Sequence, residues 1–235
     1  LLSACRDLFD YLDPYAQICN EVSCISKVDG KLHGYAKDPI SSSLTMQHFI
    51  PDGYWQQFGG DVLCLGAGGA AIAITVYLAE QSKTGDYPDR FILVDISQER
   101  LDAIQQIHTK LDTPIQFDYH LTDNAADNDS LMANLPDYSM VINATGLGKD
   151  RPGSPITDDG IFPQHGMVWE LNYRGERDFM KQAEKQKITR SLTIEDGWVY
   201  FLHGWAQVVA EVFHFDLSPD IFNQLDEAAT ILRPA

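Results

Sequence analysis

The chain has 235 residues, 44% of them hydrophobic, which is enough for one large or two modest domains with a real core. Its 34 acidic against 17 basic residues leave a net charge of −17, which argues against nucleic acid as a partner, because phosphate-backbone binding needs clustered Lys and Arg. No apolar run approaches the ~18–20 residues of a membrane span and no basic-then-apolar leader is visible, so a soluble, cytoplasmic protein without a membrane partner is expected.

Cys5, Cys19, Cys24 and Cys64 form no CxxC pair and read as free thiols, and the seven histidines lack HExxH spacing, so no catalytic metal is expected. Leu1–Leu12 has the pattern of an amphipathic helix. A chain that starts inside a helix, without Met, is expected to have lost residues upstream. Asp13-Pro14 reads as the stop of that helix, Glu21–Val28 as a strand, and Asp29-Gly30 as a tight hairpin turn into the return strand Lys31–Tyr35. Pro39 is expected to end the ladder and leave Asp38 at the strand end, with a helix or turn over Ile40–Ile50.

Asp61–Ala73 then shows a short apolar run that breaks on glycines and resumes as a helix-forming segment, the pattern of a dinucleotide fingerprint. Gly66 allows the tight turn, Gly68 lets main chain approach a diphosphate, and Ala71 is small enough for close packing of helix on strand. Ala67, Gly69 and Ala70 complete a turn whose free N–H groups face the phosphates. A glycine turn also arises for conformational reasons alone. Two further apolar strands raise the case: Arg90–Asp95, ending in an acid suited to the adenosine ribose, and Met140–Asn143, followed by Thr145 and Gly146. Gln81–Asp89 is read as a loop insertion. Leu101–Lys110 reads as a helix, Ile115–Leu121 as a strand and Asp123–Asp129 as a solvated acidic loop. The charged stretch from Lys149 to Pro155 reads as a surface loop, although Lys149 or Arg151 is also able to meet a carboxylate-bearing substrate.

Asp13–Gln17, Asn20–Ser23 and Asp29–Asp38 together resemble the substrate-domain stretch of the shikimate and quinate/shikimate dehydrogenases, with their DPEAQ-like helix end, GAVNT strand and DGKLxGxNTDG hairpin. The glycine turn and Ile142–Gly148 resemble the same family's dinucleotide turn and NATPLGM segment, so the likeness runs over nearly the whole chain. It implies an α/β fold: a Rossmann-like doubly wound parallel sheet over 56–194, the remainder of a smaller, N-terminally incomplete substrate domain over 1–55, and helices returning to it over 195–235. The activity implied is hydride transfer between a nicotinamide coenzyme and a hydroxylated cyclic carboxylic acid. A homodimer is compatible with it.

The resemblance also implies site residues. Asp38 matches the family's catalytic acid, against a turn-forming role before proline. The lysine that partners it falls at or before Leu1. Ser23 stands where a substrate-binding Asn is usual, which suggests a shifted substrate. Asn143 and Thr145 are implied to line the cofactor cleft, Leu171 to pack near the nicotinamide, and Tyr173 to sit beside the substrate, with the usual Asn-Pro replaced by Arg174-Gly175. Asp196-Gly197 onward resembles NGLGMLVxQG, with Gly197 meeting the nicotinamide amide. Ungapped, Gly204 falls at the substrate-binding Gln; with a one-residue gap His203 does, and His203 is favoured because it keeps a polar group in the pocket. The bland alternative is a histidine satisfied within an aromatic helix. Asp95 favours NAD over NADP by repelling a 2′-phosphate, with Arg100 near enough to swing in. Val208–Phe215 and Pro219–Leu232 read as covering helices. The competing readings are a non-catalytic dinucleotide-binding sensor derived from this fold, and an NAD-binding enzyme of other chemistry.

Overall fold

The computed structural model describes residues 5–149 and 151–233. Of the helix expected at the start, Leu1–Ala4 lies outside the described residues, and the rest takes another form. Arg6–Leu8 makes a single 3-10 turn and Tyr11–Leu12 is a strand, β1. The cause is tertiary. Gly34, without a side chain, leaves room for Phe9 and Leu12, whose atoms stand 2.7–3.0 Å from where its Cβ would be, and β1 runs parallel to the strand that holds it.

Asp13-Pro14 starts a helix rather than stopping one. The Asp13 carboxylate accepts from the Ala16 N–H at 2.7 Å and proline occupies the first turn of α1 (Pro14–Cys19), where its missing N–H costs nothing. Asn20, at φ 52°, ends α1. The strand expected from Glu21 therefore begins later, as β2 (Cys24–Val28), paired antiparallel with β3 (Lys31–Tyr35). Asp29 and Gly30 both take positive φ, as a two-residue hairpin requires. Asp38-Pro39 likewise opens a helix, α2 (Asp38–Phe49), rather than closing a strand. A short α3 (Tyr54–Phe58) leads to the larger sheet.

That sheet is built from β4 (Val62–Leu65), β5 (Arg90–Asp95), β6 (Gln116–Leu121), β7 (Met140–Asn143), β8 (Met167–Glu170) and β9 (Thr193–Glu195), in the order β6-β5-β4-β7-β8-β9 and parallel throughout. The central strands β4 and β7 are buried at every position, and apolar up to Asn143, because helices cover both faces. Val62 and Cys64 point to one face, against Ile74, Leu78 and Ile104 of α4 (Gly69–Gln81) and α5 (Gln98–His108). Leu63 and Leu65 point to the other, against Met132 of α6 (Ala125–Ala133) and Phe179 of α7 (Asp178–Arg190). The acidic run is thus only partly loop: Asn124 caps α6, and Asp129 accepts from the Thr157 N–H.

After β9, a single helix α8 (Trp198–Phe213) replaces the break expected near Val208, and α9 (Pro219–Thr230) follows. α8 lies on α2 and β2, tied to the start of α2 by the Lys37–Glu211 ion pair at 2.6 Å and to β2 by the Ser26 hydroxyl, which donates to the Glu211 carbonyl. α1 packs on α4 through Cys19 and Val76, with Ile107 of α5 in the same cluster. These two contacts bring the small sheet over the carboxyl ends of the large one. The order of strands reverses on either side of β4, the place where open α/β sheets hold ligands.

Candidate active site

The glycine turn follows β4 at that reversal. Gly66 has φ +108°, and a Cβ on it would stand 2.6 Å from the Ala144 carbonyl oxygen, so only glycine lets the ends of β4 and β7 lie this close. Gly68 differs: its backbone is extended and the space beside its Cα is open, as a cradle for a diphosphate requires. Ala67, Gly69 and Ala70 carry the chain into the 13-residue α4, whose first N–H groups have no partner within the helix.

Asp95 ends β5 beside this turn, in a cavity of about 170 Å³ that also takes in Gly66, Arg100, Thr145 and Arg151. Its carboxylate is already engaged by the main chain. One oxygen accepts from the Ala67 N–H (2.8 Å) and the other from the Ser97 N–H (2.9 Å), while the Arg100 guanidinium stands 3.8 Å away. Asp95 therefore holds the glycine turn in shape, and Ser97, not Asp95, caps the next helix.

Asn143 is also redirected, because its side chain is fully buried. Its Nδ2 donates to both oxygens of Glu170 (3.1 and 3.0 Å) and to the Leu147 carbonyl, and its Oδ1 accepts from Thr145. Glu170 accepts in turn from the Asn172 N–H at 3.0 Å. Burial pushes the Glu170 carboxyl up to about 7, with these hydrogen bonds pulling the other way. This network fixes the segment that presents Leu171 and Tyr173.

A second cavity, of about 300 Å³, joins the two sheets and is lined by Ser23, Asp38, Leu171, Tyr173 and Gly197, together with Lys149 and Tyr200. Ser23 accepts from the Lys37 N–H at 2.8 Å and its hydroxyl donates to Asp38. Burial pushes the Asp38 carboxyl above its ordinary range, and the Ser23 hydrogen bond offsets part of that. The Lys37 side chain is turned away, to Glu211. Gly197 is required sterically, since a Cβ there would stand 2.1 Å from the Leu171 carbonyl oxygen.

Glu21 carried no expectation, yet its carboxylate lies over Gly69, 2.5 Å from where a Cβ would be. Burial, and then the charge of Asp38, raise its pKa. Nothing in the local sequence marks it: the α1–α4 contact alone carries this loop to the turn.

His203 is not in the cleft. It faces α9, stacked on Phe222 with ring centroids 4.3 Å apart, and its Nδ1 has no hydrogen-bond partner. Gly204 lines the cleft, as the ungapped match has it. Helical phase decides between them, because Gly197, Tyr200, Phe201, Gly204, Trp205 and Val208 share one face at spacings of three and four, and residue 203 lies about 100° away from 204. That periodicity was the available signal for Tyr200 and Trp205. Burial, and then the charge of His48, lower the His203 pKa to about 4. A depressed imidazole contributes stability that is present above its unfolded value of about 6.5 and is lost as pH falls toward 4. His203→Phe is therefore expected to leave turnover unchanged and to gain stability over the parent as pH falls, checked by thermal melts between pH 7 and 4.5.

The four cysteines are free thiols. Among the described residues no group of three or more His, Cys, Asp or Glu side chains is placed to hold a metal ion, and no helix is long and apolar enough to cross a membrane. A parallel doubly wound sheet, a glycine turn at its reversal point and a cleft shared with a second, smaller sheet define the class as a two-part Rossmann-like α/β protein.

No family model matches the chain. Individual relatives do. It is 28% identical over 181 residues to the shikimate dehydrogenase (NADP(+)) of Streptococcus thermophilus, covering 76% of this chain and 59% of that protein. It is 31% identical over 182 residues to the enzyme of the same name from Streptococcus gordonii, covering 75% and 58%. The chain thus spans about three fifths of the length of these relatives. Among solved structures it matches shikimate 5-dehydrogenase of Listeria monocytogenes, crystallised with shikimate and NAD, with a TM-score of 0.66 at 19% identity over 94% of this chain and 73% of that one. The chain is thus similar to shikimate dehydrogenases over about three quarters of its length, and it shares their fold.

Proposed function

We propose that the chain is the main part of a nicotinamide-dependent oxidoreductase that interconverts a hydroxylated cyclic carboxylic acid and its ketone. The observation that carries this reading is the pairing of an open glycine turn at Gly68, where the strand order reverses, with a cleft lined by Ser23, Asp38, Leu171, Tyr173 and Gly197. The relatives' activity points the same way.

A bound dinucleotide supplies the hydride acceptor. Asp38 accepts a hydrogen bond from the reacting hydroxyl, and Ser23, held by the Lys37 N–H, keeps that carboxylate oriented. Leu171 and the packed phenol of Tyr173 exclude water from the reacting carbon. Steady-state assays with NADP and NAD over shikimate, quinate and related acids test the reading. Asp38→Asn is expected to lower kcat about 100-fold with a smaller change in KM. No turnover of any such acid by the parent protein would sink the proposal.

For the coenzyme, NADP is favoured over NAD, in reversal of the expectation from sequence. Asp95 spends its carboxylate on two main-chain N–H groups, and Arg100 and Arg151 border the same cavity, a pair suited to a 2′-phosphate. The relatives' names also specify NADP. Arg100→Ala is expected to weaken NADP about tenfold while leaving NAD nearly unchanged, read as dissociation constants by calorimetry. Equal losses for both coenzymes would remove Arg100 from this role.

A further inference from the structure

The cleft that holds Ser23 and Asp38 also takes in a lysine, Lys149, and the way this cation is held depends on the glycine that stands at 175 in place of the usual proline. The loop after β7 turns at Gly148, whose N–H donates to the Arg151 carbonyl (2.7 Å) and whose carbonyl accepts from the Arg177 N–H (3.0 Å). Gly175 lies against it. A Cβ on Gly175 would stand 2.3 Å from the Gly148 oxygen and 2.8 Å from the Lys149 Cα, and its φ is +87°. Proline, which the family pattern puts there, has φ fixed near −65° and is excluded. Glycine at 175 thus lets the loop press on the segment after β8, and the loop in turn carries the Lys149 ammonium to 5.0 Å from the centre of the Tyr173 ring. Tyr173 is itself held by stacking on Phe201 at 4.1 Å. The replacement of Pro by Gly and the presence of the lysine are parts of one arrangement.

A chain of net charge −17 repels small anions over most of its surface, so a carboxylate entering this cleft needs local positive charge. Ser23 and Asp38 come from the small-sheet side and Lys149 and Tyr173 from the β7–β8 side, so the two walls differ in sign. The Arg174 guanidinium, 5.8 Å from the Tyr173 ring, adds to the positive wall.

We propose that Lys149 recognises the carboxylate of the substrate, and so sets its orientation: hydroxyl toward Asp38, carboxylate on the ammonium over Tyr173. This rests on the oxidoreductase reading above and names the residue that selects acids over neutral alcohols. An ammonium is a compact point charge that pairs with a carboxylate without demanding a bidentate geometry, so Lys149→Arg is expected to retain part of the effect.

The test is calorimetric, on the protein saturated with NADP+, titrated with shikimate, quinate and their methyl esters. Lys149→Met is expected to lose about tenfold or more in affinity for the acids, with ester affinity and dinucleotide affinity unchanged. Equal acid affinity in parent and Lys149→Met overturns the inference while leaving the oxidoreductase reading intact. So does an equal loss for acid and ester, which marks a packing effect, or a loss confined to the dinucleotide, which marks a diphosphate contact. Dinucleotide binding by the parent with neither acid nor ester bound overturns both.

Discussion

Gly66→Ala is expected to unseat the fold and the coenzyme together, whereas Gly68→Ala, two residues on, should affect the coenzyme alone. At Gly66 the added methyl meets main-chain atoms of Ala144 and Thr145, the nearest the Ala144 carbonyl at 2.6 Å, and the backbone sits at φ +108°, beyond the left-handed region that alanine tolerates. Relief requires the ends of β4 and β7 to part, at a cost of about 3 kcal/mol or more and a fall of roughly 6–12 °C in Tm. At Gly68 the backbone is ordinary extended chain and the methyl enters open space, so stability should hold or rise slightly. That space is where the diphosphate is proposed to lie, so affinity for either coenzyme should drop about tenfold or more. Thermal melts paired with calorimetry separate the two effects. Coenzyme affinity unchanged in Gly68→Ala would mean that the turn is conformational and not a cradle.

The second large effect concerns Glu170. Its side chain is fully buried at the end of β8, and its folded pKa of about 7 lies above the ordinary carboxylate value. A carboxyl so raised contributes stability that is complete below about pH 4.5 and is lost as pH rises through 7, because above that the ionised form is buried at a cost of up to about 3 kcal/mol. Glu170→Gln keeps an oxygen for the Asn172 N–H and Asn143 Nδ2 while removing the charge. It should match the parent at pH 5 and exceed it at pH 8.5. Glu170→Ala leaves the buried Asn172 N–H unpaired and Asn143 Nδ2 with only the Leu147 carbonyl, opens a cavity, and should lose about 2–4 kcal/mol at every pH. Because Glu170 secures the segment bearing Leu171 and Tyr173, the alanine variant should also raise KM. Urea unfolding at pH 5, 7 and 8.5 checks both variants. Parallel stability curves for parent and Glu170→Gln would show that Glu170 folds already ionised and compensated.

Much of the frame was legible without coordinates, and the reason is local. β4, β5 and β7 are continuous apolar runs that only a sheet covered on both faces can bury, and the glycines after Leu65 meet backbone demands that no other residue meets. Asp29-Gly30 specified its hairpin in the same way. Local signals failed where long-range packing outweighed them. Tyr11–Leu12 became a strand because β3 offered a ladder and Gly34 offered room. Asp13-Pro14 and Asp38-Pro39, read as stops, proved to be starts, since Asp and Pro suit the first turn of a helix as well as the break before one.

The site divides along the same line. At Gly66 and Gly197 close backbone approach demands glycine, and at Gly68 the space is open; these are features that adjacent residues set. The placement of side chains depended on neighbours far along the chain: Asp95 is taken up by the turn, Asn143 by Glu170, and His203 by Phe222, while Glu21 is carried to the turn and Lys149 to the cleft by helix and loop contacts. The amino-acid sequence by itself determined that a parallel sheet with a glycine turn at a strand end would form, because burial pattern and φ requirements are properties of adjacent residues. Only the tertiary structure decided which charges face the cleft, because a charged side chain's partner is set by whatever the fold brings within a few ångströms of it.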